Sequence, residues 1–128
     1  MNRAIALKWA RALESGEYRQ ATGQLRSVNG FCCLGVLCNL HAQAHPEIAA
    51  REHKLDWYLG ENTELPEAVM IWADMMDIGA SFVDDFRIEY TNFENVICEA
   101  DGLIDLNDNA KFDFKQIAAI IRKHSEKL

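Results

Sequence analysis

Three side chains with metal-binding or nucleophilic chemistry fall at helical spacing in one apolar stretch. Cys38, His41 and His45 stand at i, i+3 and i+7, on one face of a helix, and Cys98 offers a fourth ligand of the kind zinc takes. The competing reading is packing. Cysteine is among the most buried residue types, His41 closes an apolar stripe, and the paired C-x-x-C spacing of a zinc ribbon is missing, so a core role is favoured and no metal is expected. Cys32 and Cys33 near a helix start offer a nucleophile whose thiolate the helix N-terminus would favour, with four histidines as candidate bases. Adjacent residues point to different helix faces, however, and no hydrolase signature surrounds the pair. Carboxylates recur in close pairs, Asp74 with Asp77, Asp84 with Asp85 and Asp105 with Asp108, which is the raw material of acid–base chemistry or of magnesium binding. In so acidic a segment such pairs arise by chance. The P-loop, the dinucleotide fingerprint, G-x-S-x-G and H-E-x-x-H are all missing, so no cofactor is expected and binding is favoured over catalysis. Trp9, Trp57 and Trp72, with Met75 and Met76, read as core rather than as a ligand cage.

The acids make more sense as a surface. The 128 residues carry 13 Lys+Arg against 20 Asp+Glu, a formal charge of −7 that argues against direct binding to nucleic acid. That charge is segregated. Residues 1–30 hold five basic and two acidic side chains, residues 31–54 two of each, and residues 109–128 five basic and two acidic. Residues 55–108 hold fourteen acidic side chains and one basic one, Arg87, a block of −13. Trp57, Leu65, Val69, Trp72, Phe86 and Ile88 run through the block, so it belongs to a folded domain and is no acidic tail. It reads either as a solvated face, partly neutralised by the basic ends, or as a docking surface for a basic partner. On the second reading the contact residues are Asp74, Asp77, Asp84, Asp85, Glu89 and Glu94. The rival site is the polar loop Tyr18–Arg26, where Arg19 or Arg26 would hold an anionic group such as a nucleotide phosphate.

These side chains need elements to position them. Asn2 caps a helix over residues 3–15, with Ile5, Trp9, Ala12 and Leu13 at helical spacing and Gly16 as its stop. Residues 17–30 read as a loop or short hairpin turning at Asn29-Gly30. Residues 31–44 are apolar on most sides, which predicts a central helix, and Pro46 ends it or begins the next turn. Leu55, Trp57 and Leu59 alternate as a short strand. Leu65-Pro66 opens a helix with Val69, Trp72, Ala73 and Met76 inward and Gly79 at its end. Phe86, Ile88 and Tyr90 alternate as a strand. Thr91-x-x-Glu94 has capping-box spacing, predicting a helix with Phe93, Val96, Ile97 and Ala100 inward. Asp113 and Gln116 make a second capping box ahead of a last helix with Phe114, Ile117, Ile120 and Ile121. The expectation is a mainly helical α+β domain over residues 1–128, about five helices around a central apolar helix with a small antiparallel sheet. No apolar run approaches the roughly 20 residues of a membrane span, and the start of the chain lacks the apolar region of a signal peptide, so a cytoplasmic place is expected.

Two segments carry a resemblance. Trp9, Ala12-Leu13, Ser15-Gly16, Tyr18, Gln20, Gly23 and Leu25-Arg26 precede Phe31-Cys32-Cys33-Leu34-Gly35-Val36-Leu37-Cys38; later come Leu106-Asn107-Asp108 and Phe114, Ile117 and Ala118. The pattern resembles a family of small proteins of bacteriophages and prophages. It covers about half of the chain and leaves out the acidic middle; Asn109-Ala110 stands where the pattern has glycine. The resemblance implies a phage product acting in a bacterial cytoplasm, and it implies no activity. Joined to the charge map, it gives the leading expectation: an inhibitor of a restriction or CRISPR effector whose acidic surface imitates DNA phosphates, its partner a basic, nucleic-acid-handling host protein. The alternative is a small enzyme or nucleotide-binding protein using Tyr18–Arg26.

Overall fold

In the computed structural model, which describes residues 1–51 and 56–128, the chain opens on α1 (Arg3–Glu14). Asn2 caps it as its residue type predicts, its Oδ1 accepting from the Ile5 N–H at 3.1 Å. Ala6, Trp9, Ala10 and Leu13 form its buried stripe. A hairpin of β1 (Arg26–Ser27) and β2 (Gly30–Phe31) leads into α2 (Cys33–Ala44), followed by the single turn α3 (Pro46–Ala49), which starts on its proline, and by α4 (Glu67–Ala73). A second antiparallel hairpin, β3 (Ile88–Thr91) and β4 (Ile97–Ala100), precedes α5 (Leu103–Asp108) and α6 (Phe114–His124). The expected α+β architecture is present: among the described residues there are six α-helices and two small antiparallel sheets.

The centre is α2, where Cys33 to Cys38 are all buried, as a helix apolar all round must be. Gly35 is what lets the loop before β1 cross it, because a Cβ there would overlap the Leu25 carbonyl. Trp9 from α1 donates through Nε1 to the Cys33 carbonyl at 2.8 Å. Along its length α1 packs on α6, and Arg122 of α6 grips Glu14 in a bidentate pair at 3.0 and 2.7 Å. The capping box at Asp113 and Gln116 forms reciprocally, at 2.8 and 2.9 Å.

Several expected elements are corrected. The first hairpin turns at Val28-Asn29, one residue early, because Gly30 is spent elsewhere: its φ of +136° brings the backbone against Arg19, where any Cβ would clash with the carbonyl. Helix α4 stops at Ala73, well short of Gly79. Asp74 takes the left-handed conformation and the Met75 N–H reaches back to the Met70 carbonyl at 3.0 Å, so Met75 is buried and Met76 exposed. The helix expected over 91–100 is a hairpin. The Asn92 carboxamide accepts from the N–H groups of both Glu94 and Val96, at 3.0 Å each, which closes a turn instead of capping a helix. Phe93, Val96 and Ile97 therefore face outward, and of the four residues expected inside only Ala100 is buried. Asn107-Asp108 ends helix α5. Leu55 of the expected short strand lies outside the described residues; the neighbouring Tyr58 pairs with Glu61 in an isolated bridge.

Candidate acidic groove

The structure gathers carboxylates from three stretches of the chain, around residues 64, 77 and 99–105, at one open groove of about 720 Å³. Glu64, Asp77, Glu99, Asp101 and Asp105 line it, and Arg87 is the one cation among the described lining residues. Glu64 and Asp77 are drawn together by the Leu65 N–H donating to the Ile78 carbonyl at 2.9 Å. Asp77 is partly spent on its own turn, its Oδ2 accepting from Gly79 N at 2.9 Å and Ser81 N at 3.1 Å. Alternation in β3 and β4 turns Ile88, Tyr90, Cys98 and Ala100 toward the core side and leaves Glu89 and Glu99 exposed. Asp101 follows β4, and its carbonyl takes the Phe82 N–H at 2.7 Å, tying the hairpin to the segment after α4. Asp105 sits in α5, its Oδ1 accepting from Asn109 Nδ2 at 2.6 Å. Arg87 donates to its neighbour's carbonyl, Phe86 O, at 2.8 Å. Among the described residues the side chains of Glu64, Glu99 and Asp101 take neither a hydrogen bond nor an ion pair. Ile78 and Ile104 give the groove an apolar part.

Of the six carboxylates named from the sequence, Asp77 lines this groove. Glu89 lies beside it, directly across the hairpin from Glu99, and Glu94 stands at the hairpin tip. Asp74 terminates α4, and Asp84 is held by Lys127 at 3.1 Å. Asp85 is exposed next to Asp84, both at positive φ. Sequence reasoning missed Glu64, Glu99 and Asp101, and named Asp105 only as half of a carboxylate pair with Asp108. The alternation Glu99-x-Asp101 was the available signal, hidden by reading that segment as a helix.

The other candidate chemistry is placed differently. Burial pushes the Cys32 thiol up to about 11 and the Cys33 and Cys38 thiols up as well, so none of the three is held as a ready thiolate. His41 is buried and shares a 2.8 Å hydrogen bond with the Tyr58 hydroxyl. His45 stacks on its ring at 4.2 Å, and the His45 Nδ1 lies 2.9 Å from the His41 carbonyl, which assigns the proton to that nitrogen. Burial, reinforced by His45, lowers the pKa of His41. Among the described residues no group of three or more His, Cys, Asp or Glu is placed to hold a metal ion. In the loop Tyr18–Arg26, Gln20 donates to Asn107 Oδ1 and to the Phe112 carbonyl, the Tyr18 hydroxyl accepts from Asn39, and Arg26 donates to the Trp57 carbonyl. Asn107, itself buried, donates to the Ala21 carbonyl and to Asp108. The loop is thus bolted to α2 and α5.

Fold and groove together define a small α+β domain that presents an acidic groove on a core to which both ends and the middle of the chain contribute. The chain belongs to the family described as a domain of unknown function, DUF8296, whose model matches residues 1–125. Neither the curated proteins nor the solved structures contain a match to it. Among the described residues no helix is long and apolar enough to cross a membrane.

Proposed function

We propose that this protein is a small interaction protein whose acidic groove occupies a Lys/Arg surface of a nucleic-acid-handling partner. In the phage context that the sequence pattern implies, the partner is a bacterial restriction or CRISPR effector and the outcome is its inhibition in the host cytoplasm. The observation that carries the reading is the convergence on one groove of five carboxylates from three stretches of the chain, around residues 64, 77 and 99–105, three of them without partners among the described residues. Channels built for DNA draw their affinity from phosphate charge, and a folded set of carboxylates competes for the same cations. The nucleotide-binding alternative is less well supported, because Tyr18, Gln20 and Arg26 are engaged within the protein itself. The test is DNA cleavage by a panel of bacterial effectors with and without the protein. Inhibition that excess DNA relieves, and that Glu99→Lys with Asp101→Lys removes, supports the proposal. Inhibition untouched by that double reversal, or none across the panel, counts against it.

A further inference from the structure

Resting on that reading, we propose that the tip of the β3–β4 hairpin is a second contact element, inserting Phe93 into an apolar depression ringed by Lys or Arg on the protein partner. Phe93 is 96% exposed, with Val96 at 51% and Ile97 at 71% beside it. Loop tips are ordinarily polar, and three large apolar side chains gathered on one tip mark a contact surface. The display is fixed in advance. The Asn92 carboxamide holds the Glu94 and Val96 N–H groups, and the Asn92 N–H donates to the Val96 carbonyl at 3.0 Å. Phe93 is therefore presented on an ordered turn, which lowers the entropy cost of using it as an anchor.

Charge names the occupant. Glu94 sits next to Phe93, and Glu89 faces Glu99 across the strands, all three exposed and outside every ion pair between described residues. Like charges directly opposite on a hairpin oppose folding, and cations from a partner relieve them. A second copy of this chain docking tip to tip would bring the same carboxylates together. An anionic lipid surface or a nucleic acid backbone would repel them. A basic protein surface with an apolar centre satisfies both the carboxylates and the aromatic ring.

The proposal is tested with two 12-residue peptides of equal charge, one of six Lys and six Leu, the other of six Lys and six Ser, titrated by fluorescence anisotropy. The Lys/Leu peptide is expected to bind about tenfold more tightly, the gain from burying one aromatic side chain. Phe93→Ser should erase that preference while leaving Lys/Ser binding unchanged; being exposed, it should also leave the melting temperature in place. Equal affinity of the wild type for the two peptides, or a preference that survives Phe93→Ser combined with Val96→Ser, overturns the tip proposal and leaves the groove reading standing. Failure of both peptides to bind overturns both. Self-association of the free chain that Phe93→Ser abolishes assigns the tip to a second copy and also overturns the proposal.

Discussion

Replacing Glu99 by lysine should make the isolated protein more stable while destroying its proposed function. Glu99 lies directly across from Glu89 on the exposed face of the hairpin. With the two charges about 6 Å apart in water, Coulomb's law gives about 0.7 kcal/mol, unfavourable as the pair stands and favourable once one sign is reversed. Screening leaves roughly four-fifths of this at 0.01 M salt and about half at 0.15 M, so Glu99→Lys is worth about 1.1 kcal/mol in dilute buffer and about 0.7 kcal/mol at physiological salt. For a chain of this length each kcal/mol moves the midpoint by about 4 °C, so the variant should melt about 4 °C higher at low salt. The gain should fade by 1 M salt. Glu99→Gln, which removes the repulsion without adding an attraction, should give about half the effect. Thermal unfolding followed by circular dichroism at three salt concentrations reads all of this. A melting temperature unchanged or lowered by both substitutions at 0.01 M salt would refute the idea that these carboxylates are kept at a cost in stability.

Other consequences follow from the interior. Asn107→Leu removes three side-chain hydrogen bonds, two of which join the Tyr18–Arg26 loop to α5, and at about 1 kcal/mol apiece should cost about 3 kcal/mol in urea unfolding. A loss below about 1 kcal/mol would mean the loop is not anchored there. Burial keeps His41 neutral in the fold, whereas the unfolded chain takes up the proton near pH 6.5. This contribution is complete above about pH 6.5 and is lost as pH falls toward the lower folded value, so the urea midpoint should drop between pH 7 and 5 and drop less in His41→Gln. Iodoacetamide should label the half-buried Cys98 before Cys32, Cys33 and Cys38, which mass spectrometry of the intact and unfolded protein resolves. Rapid labelling of Cys33 in the folded state would contradict its burial.

How much of this was legible in the sequence depended on how local each signal was. Helices α1 and α6 carry their own start signals, Asn2 and the Asp113/Gln116 box, ahead of an amphipathic repeat. The continuous apolar run of α2 announced a central helix. Helix α5 is six residues long and ends in Asn107-Asp108, residues that also suit turns, so no repeat develops. The Thr91/Glu94 spacing matched a capping box, yet Asn92 between them commanded the same backbone donors, and cross-strand pairing of Ile97 and Cys98 decided the outcome. That misreading hid Glu99 and its alternation with Asp101. The acidic block was visible as a count, but a groove lined by residues 64, 77, 99, 101 and 105 exists only once two turns and a hairpin bring them together. The motif around Trp9, Gln20, Gly35 and Asn107, by contrast, records scaffold: each of its key residues makes a contact between the two ends of the chain or with α2.

The central claim is that the groove meets a basic partner through charge. The measurement that tests it most directly is the affinity for a host effector, captured on the immobilised protein, as a function of salt, for the wild type and for Glu99→Lys with Asp101→Lys. The account predicts that log affinity falls steeply and linearly with log salt and that the double reversal abolishes binding at every salt concentration. Binding that is indifferent to salt, or undiminished in the double variant, would contradict it.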